Sequence, residues 1–213
     1  MGIRPSLAPP WLLVDLGYRH RVAGWPVVGP SFGNATIVAW LQVEDNDLAN
    51  PTDYFWAQAR SARIEADVGL MTAADIAHFA CLSGQNAAME VTAVVTASLS
   101  NGESVRPSAT GAPRGWHPGT VNILLHANVP LTDGAMIEAV SIVAEARTAA
   151  ILDLGISLMD GRPLTGTGTD CIVVAAPPGA HPLSHCGLHT ALGRLIGETC
   201  HRAVATALNQ GKP

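Results

Sequence analysis

The segment VNILLHANVPLTDGAMIEAVSIVAEARTAAILDLG, residues 121–155, decides the fold class. It begins with a short run rich in branched aliphatic residues, 121–125, which is typical of a buried strand. Thr132 and Asp133 then provide the N-cap of a long helix, whose apolar residues recur at helical spacing and which ends at Gly155. A strand followed by a helix of this length indicates helices packed on a sheet.

The flanking sequence adds elements of the same two kinds. Further strands are predicted at 11–16, 35–43, 91–99 and 171–176, and further helices at 51–62, 72–81 and 190–208. No internal repeat or linker divides the chain, so we predict a single domain over residues 1–213. The predicted fold class is mixed α/β (α+β), with one β-sheet core and helices packed on it. The strand order stays open.

Composition excludes several classes of protein. The chain has 213 residues, 12 Lys and Arg against 17 Asp and Glu, and a net charge of -5. Its one lysine is Lys212, so no basic patch is available for nucleic acid, and catalysis through a lysine amine is disfavoured. The four cysteines form no CxxC pair, which argues against a disulfide framework or a zinc ribbon.

The chain shows no sign of export or membrane insertion. Pro9, Pro10 and Asp15 interrupt the apolar stretch near the N-terminus, and no apolar run approaches the ~20 residues that span a bilayer. We therefore expect a cytoplasmic protein without a membrane partner. The apolar face of the last helix is compatible with a homodimer, and equally with the core of one chain.

Three polar segments that contain glycine adjoin predicted strand ends: SLSNG at 98–102, PGTVN at 118–122 and TGTGTD at 165–170. Each segment alone is also typical of a turn. Three of them, rich in hydroxyls and poor in charge, favour a ligand site at one edge of the sheet. TGTGTD is neither a Walker nor a dinucleotide loop, because no Gly-Lys-Ser/Thr follows and it leads into a strand. The candidate site residues in these segments are Asn101, Thr120, Asn122, Thr167, Thr169 and Asp170.

Two candidates lie outside these segments. Glu145 interrupts an apolar helix, where partial desolvation would suit a general base, although a solvated residue or a structural partner for a buried arginine is the alternative. His189 precedes the last helix and is a candidate acid or hydrogen-bond donor. His181, His185 and His189 are spaced four apart, as zinc ligands on a helix would be, but Pro182 and the neighbouring glycines argue against that helix, so we predict no metal.

The chain resembles the adenosylcobinamide amidohydrolase family (CbiZ), which acts in corrinoid salvage. The resemblance covers roughly residues 68–208, and the order and spacing of its motifs make it specific. The matching stretches are VGLMTAADI (68–76), VVTASLSNG (94–102), PGTVNILL (118–125), AEARTAAILDLGI (144–156), TGTGTDCIVVA (165–175) and GLHTALGRLIG (187–197). Arg147 stands where the family tends to have lysine, which indicates a charge or hydrogen-bond role there rather than proton transfer.

The resemblance implies hydrolysis of the amide that joins the aminopropanol arm of adenosylcobinamide to its corrin ring, giving adenosylcobyric acid. The cobalt corrinoid would be the substrate, with no resident cofactor, because the Asp-x-His-x-x-Gly signature of corrinoid carriers is absent. Trp40, Trp56 and Trp116 are candidate walls of a wide cleft, and burial in the core is the alternative for each. The expected substrate-binding residues are Thr72, Asn122, Thr167, Thr169, Arg147 and Trp116.

Three mechanisms stay open. In the favoured one, Glu145 or Asp170 activates a water. Asn101, Asn122 and loop amides would stabilise the oxyanion, and His189 would protonate the leaving amine.

In the second mechanism, Thr120 is a covalent nucleophile, as in self-processing amidohydrolases. With this nucleophile the chain could also be an amidohydrolase or acyltransferase that acts on another substrate. In the third, zinc held by the histidine series assists hydrolysis. A corrinoid-binding module without catalysis is the remaining alternative.

Overall fold

The computed structural model describes residues 3–44, 49–108 and 119–211. Within these ranges an eight-stranded sheet and a two-stranded sheet are accompanied by three α-helices and one 3-10 helix, Ile76–His78. The strands are β1 (Arg4–Ala8), β2 (Trp11–Gly24), β3 (Phe32–Gln42), β4 (Val68–Thr72), β5 (Ala80–Asn86), β6 (Met89–Ala97), β7 (Gly102–Glu103), β8 (Val121–Ala127), β9 (Gly166–Thr167) and β10 (Cys171–Ala176). The helices are α1 (Pro51–Ala62), α2 (Asp133–Leu152) and α3 (Ala191–Gln210).

The large sheet is mixed and curls upon itself. Its strands follow the order β4-β3-β2-β10-β8-β6-β5, with β1 paired to β2, while β7 and β9 form the small sheet. The pairs β8–β10 and β3–β4 are parallel. Although three strands lie between β4 and β8 in that order, Nδ2 of Asn122 donates to the carbonyl of Met71 at 2.7 Å. The curl therefore brings the two strands together.

Helices α2 and α3 cover one face of the sheet. Thr132 and Thr190 cap them, each accepting from a backbone N–H in the first turn. The apolar residues of α3, such as Leu192, Ile196 and Val204, are buried in the same core cluster as those of α2. That face is thus core within one chain, and a homodimer stays a prediction. None of the helices in the described ranges is long and apolar enough to cross a membrane.

The α+β fold class is confirmed, and so are α1 and β10 at their predicted bounds. The helix predicted at 72–81 is wrong. Thr72 ends β4, and its hydroxyl accepts from Ala74 N at 3.0 Å, while Asp75 caps only the short 3-10 helix. The chain then enters β5, which forms a hairpin with β6. Thr72 and Asp75 thus each accept from the backbone N–H two residues on instead of forming the expected capping box, and strand pairing ends the helix after one turn.

A pair of buried histidines joins β8 to β2. Nδ1 of His20 lies 2.8 Å from the carbonyl of Tyr18, so it carries the hydrogen, and its Nε2 accepts from Nε2 of His126 at 3.2 Å. His126 is 7% exposed. Burial, and secondarily the electrostatic interaction with the neighbouring His20 ring, lowers the pKa of His126 from 6.5 to about 4.

We expect this histidine to make the fold sensitive to acid. Above pH 6.5 His126 is neutral in both states, whereas between pH 6.5 and about 4 only the unfolded chain binds the proton. The free energy of unfolding should fall by about 3 kcal/mol across that window, from this group alone. In urea unfolding at a series of pH values, the free energy of unfolding of His126→Gln should depend less steeply on pH than that of the wild type, by the equivalent of about one proton. The exposed control His181→Gln should follow the wild type, and an unchanged slope in His126→Gln would contradict the assignment.

Candidate active site

The three glycine-containing segments meet at one edge of the large sheet. Ala97, the last residue of β6, pairs with Val121, the first of β8. Asn122 pairs with Cys171, the first residue of β10. The segments before β8 and β10 and after β6 are therefore neighbours, and seven predicted site residues are linked there by hydrogen bonds. We call this group the Thr120 cluster: Asn101, Thr120, Asn122, Arg147, Thr167, Thr169 and Asp170.

The centre of the cluster is the hydroxyl of Thr120. This residue is 4% exposed, and its Oγ1 lies 2.8 Å from the carbonyl of Thr169 and 3.1 Å from Oδ1 of Asn122, both of which accept from it. Asn122 is fully buried, and its amide is satisfied within the protein. Its Nδ2 donates to the carbonyl of Met71, and its Oδ1 also accepts from Cys171 N at 3.2 Å. Asn122 thus holds Thr120 in place and has no face open to a substrate.

Gly119 places its carbonyl beside the same cluster. Its φ is +138°, and a Cβ there would lie 2.3 Å from Oγ of Ser100 and 2.6 Å from N of Asn101. Only glycine fits this close approach between the two loops. The carbonyl oxygen of Gly119 accepts from Oγ1 of Thr169 at 3.2 Å, and Nδ2 of Asn101 lies 3.5 Å from that hydroxyl. Asn101 therefore donates to the hydroxyl of Thr169, and that hydroxyl is the donor that faces the carbonyl of Gly119.

Asp170 is an anchor in this structure. Its Oδ1 accepts from Val121 N at 3.0 Å and from the hydroxyl of Thr167, and its Oδ2 accepts from Thr167 N at 3.2 Å. Nη1 of Arg147 completes an ion pair with Oδ2 at 2.6 Å. A carboxylate offers about four lone-pair positions, and these four donors occupy them. Asp170 therefore fixes the start of β8 and the 165–170 loop, with little capacity left to activate a water.

Glu145 and His189 lie elsewhere. Glu145 is exposed, so the expected partial desolvation is wrong: it lies two residues before Arg147, about 200° away around α2. It accepts from Ser141 at 3.2 Å and lines a groove of about 810 Å³ between α2, α3 and β5. His189 is exposed before the N-cap of α3. In the described ranges no hydrogen bond joins Glu145 or His189 to the Thr120 cluster, and their catalytic roles stay predictions.

The remaining expected binding residues are spread over the site and beyond it. Thr72 is buried next to Met71, whose carbonyl holds Asn122. Trp116 lies outside the described residues. Trp40 is fully buried on β3, and Trp56 packs edge-on against Phe55, so neither forms a wall of this site.

One neighbour of the cluster was missed by sequence reasoning. Nε1 of Trp25 donates to the carbonyl of Asp170 at 2.6 Å, and the residue is 42% exposed. The contact arises because β2 pairs with β10, which brings together residues 145 positions apart. The only local signal was the tryptophan that follows the end of a strand, in Gly24-Trp25-Pro26.

The structure also bears on two alternative chemistries, a cysteine nucleophile and a metal site. Burial, with the nearby charge of Asp170, raises the pKa of the Cys171 thiol to about 12, so this cysteine is a poor nucleophile at neutral pH. His181, His185 and His189 are all exposed and lie in no helix. In the part of the chain that the structure describes, no three His, Cys, Asp or Glu side chains are grouped as metal ligands would be.

A buried threonine hydroxyl, in a loop cluster of an α+β fold that also holds amide and hydroxyl donors and an anchored carboxylate, suits a hydrolase. Comparison with known proteins agrees with this class. The chain belongs to the adenosylcobinamide amidohydrolase family (CbiZ), whose model matches residues 3–212.

The chain is similar to three archaeal proteins. It is 44% identical over 92 residues to an uncharacterized protein of Methanocaldococcus jannaschii, covering 42% of this chain and 36% of that protein. It is 29% identical over 127 residues to an adenosylcobinamide amidohydrolase of Methanosarcina mazei, covering 59% and 54%. It is 32% identical over 127 residues to an adenosylcobinamide amidohydrolase of Halobacterium salinarum, covering 56% and 50%. The matches thus span about half, or less, of these relatives' length.

Among solved structures, a crystal structure of a Pyrococcus horikoshii OT3 protein matches with a TM-score of 0.49 and 9% identity, covering 97% of this chain and 81% of that one.

Proposed function

We propose that this chain hydrolyses the amide between the aminopropanol arm and the corrin ring of adenosylcobinamide, giving adenosylcobyric acid and aminopropanol. Family membership and two relatives that carry this activity as their name support the reaction. The observation that carries the proposal is the buried Thr120 hydroxyl next to the hydroxyl of Thr169, which already donates to a carbonyl and accepts from Asn101. Amide hydrolysis needs this combination of nucleophile and oxyanion donors.

The proposed nucleophile is Thr120. Its oxygen attacks the amide carbon of the substrate, the C–N bond breaks, and the amine leaves with a proton. Water then hydrolyses the resulting ester and restores the hydroxyl. This assignment is preferred to a water activated by a carboxylate, because Asp170 has its lone pairs occupied and Glu145 faces a separate groove.

The donors for the developing oxyanion are Nδ2 of Asn101 and Oγ1 of Thr169. Nδ2 of Asn101 carries two hydrogens, and a Cβ on Gly168 would lie only 3.1 Å from it, so glycine there keeps the amide accessible. Loss of one such donor commonly costs about 100- to 1,000-fold in turnover. Asn122, Asp170 and Arg147 act as positioning residues, since each contacts another member of the cluster.

The surroundings of the cluster suit a broad, largely apolar ring with amides at its rim. Trp25, which donates to the carbonyl of Asp170, is 42% exposed and offers apolar surface beside the cluster. The hydroxyl of Thr167, which donates to Asp170, can accept a hydrogen bond from the amide fringe. The corrinoid would enter as substrate and carry its own cobalt.

We expect purified protein incubated with adenosylcobinamide to release adenosylcobyric acid and free aminopropanol, both detected by mass spectrometry. Parallel incubations with cobinamide phosphate and a complete cobamide should define which corrinoid is cut. Turnover should be unaffected by a chelator, because the proposed chemistry uses a hydroxyl; loss with chelator and recovery with zinc would favour the histidine route instead.

The absence of product would overturn the proposal and point to one of two alternatives. A spectral change on titration with adenosylcobinamide, without product, would indicate a corrinoid-binding module. No spectral change and no product would indicate an amidohydrolase or acyltransferase with another substrate.

A further inference from the structure

We propose that the chain cuts its own backbone between Gly119 and Thr120, and that the α-amino group released on Thr120 is the general base for this site. The cut follows from the geometry of the Thr120 cluster. The role of the amine as base in turnover rests on the function proposed above.

The carbonyl that would be attacked already accepts a hydrogen bond from one donor of the site. Oγ1 of Thr169 donates to the oxygen of Gly119 at 3.2 Å, and Nδ2 of Asn101 lies 3.5 Å from that same hydroxyl. This arrangement polarises the peptide bond that precedes Thr120 and favours negative charge on its oxygen. The hydroxyl of Thr169, one of the two donors proposed for the substrate amide, thus already donates to a backbone amide of the chain itself.

The nucleophile is adjacent to that carbonyl through the covalent chain. Attack by Oγ1 of Thr120 on the carbon of Gly119 closes a five-membered ring through Cβ, Cα and N of Thr120. Gly119 presents no side chain in the way, and the loop packing described above requires glycine at this position. Both residues are buried, so the carbonyl and hydroxyl are held together at high effective concentration.

The proposed reaction is balanced with one water as co-reactant. The oxygen of Thr120 bonds to the carbon of Gly119, the bond from that carbon to the nitrogen of Thr120 breaks, and the hydroxyl proton moves to the departing nitrogen. The resulting ester is then hydrolysed by water. The products are a carboxylate on Gly119 and a Thr120 with a free hydroxyl and a free α-amino group.

The new amine would supply the proton acceptor that the cluster otherwise lacks. Asp170 is occupied by four donors, and the one lysine of the sequence is Lys212. An α-amino group has an ordinary pKa of about 7.7–8.0, so a useful fraction is neutral near physiological pH. It would lie within its own residue of the hydroxyl that it activates, which is a known arrangement for threonine nucleophiles.

The strand pairing around Thr120 would keep the two pieces together after this cut. Strand β8 begins one residue later and is paired on both sides, to β6 and to β10. Val121 N is also held by Asp170 at 3.0 Å. The pieces 1–119 and 120–213 would therefore stay associated through the central strands and the shared core around α2 and α3.

We expect denaturing electrophoresis and intact-mass spectrometry of freshly purified protein to resolve two pieces, whose summed mass exceeds the uncut chain by one water. N-terminal sequencing of the second piece should begin Thr-Val-Asn, residues 120–122. Thr120→Val, which keeps the shape but lacks the hydroxyl, should remain one chain, and Thr120→Ser should be cut. Circular dichroism of Thr120→Val verifies that it has folded.

The two proposals fail separately. A wild-type chain that stays intact through purification and prolonged incubation overturns self-cleavage, even if it forms adenosylcobyric acid. A chain that is cut before Thr120 but forms no corrinoid product retains self-cleavage and removes the proposed substrate. Cutting of Thr120→Val at the same bond would assign the cleavage to a contaminating protease and overturn the inference.

Discussion

Asp170→Asn is expected to lower the free energy of unfolding by about 3–5 kcal/mol, because it breaks a buried ion pair. The side chains of Asp170 and Arg147 are only 7% and 15% exposed, and Nη1 and Oδ2 are 2.6 Å apart. In either orientation the asparagine amide turns its NH2 group toward two of the donors that the carboxylate accepts from. Arg147 is left buried and unpaired. Urea unfolding at pH 7 measures the change.

Asp133→Asn is the matched control. Asp133 also pairs with an arginine, Arg21, but those side chains are 70% and 36% exposed. Solvent screens such a pair, so the free energy of unfolding should change by about 1 kcal/mol or less. Similar losses in both variants would show that Asp170 is no more than a surface partner of Arg147 and would contradict its role as the anchor of the cluster.

The elements that could be predicted from sequence are those with local signals. Helix α1 has Asn50 as its N-cap and Pro51 in its first turn, and both act within four residues. Strand β4 was missed because its five residues are buried and its partner β3 is distant in sequence. Thr72 and Asp75 carry a capping pattern that fits a helix or a single turn equally well. Pairing between β5 and β6 decides between them, and pairing is not a local property.

The difference between local signals and long-range pairing also explains which parts of the site could be predicted. The convergence of the three loops could be predicted because each loop adjoins the end of a strand, and strand ends meet at sheet edges. Which side of α2 faces that edge could not, since it depends on how the helix is rotated on the sheet. Glu145 was therefore favoured as a partly buried base, whereas Arg147 contacts the cluster through Asp170. The neighbour Trp25 depends on the β2–β10 pairing in the same way.

Thr120→Ala should lower turnover of adenosylcobinamide by about 1,000-fold or more, because it removes the proposed nucleophile. Corrinoid affinity, measured by spectral titration, should change only slightly, since Thr120 is 4% exposed and its hydroxyl donates to Asn122 and Thr169 within the protein. The loss should therefore fall on kcat rather than on binding. A structural role alone would weaken folding and binding together.

Two further variants, a control and a rescue, test this expectation. Thr206→Ala, the same change on α3 outside the cluster, should retain wild-type turnover. Thr120→Ser keeps a hydroxyl in the same place and should recover most of the activity lost in Thr120→Ala, because a serine oxygen can attack the same carbonyl. If Thr120→Ala turned over corrinoid at a rate close to the wild type, the nucleophile would have to be a water. A carboxylate would then have to activate it, and Asp170 would need to release one of its four donors to do so.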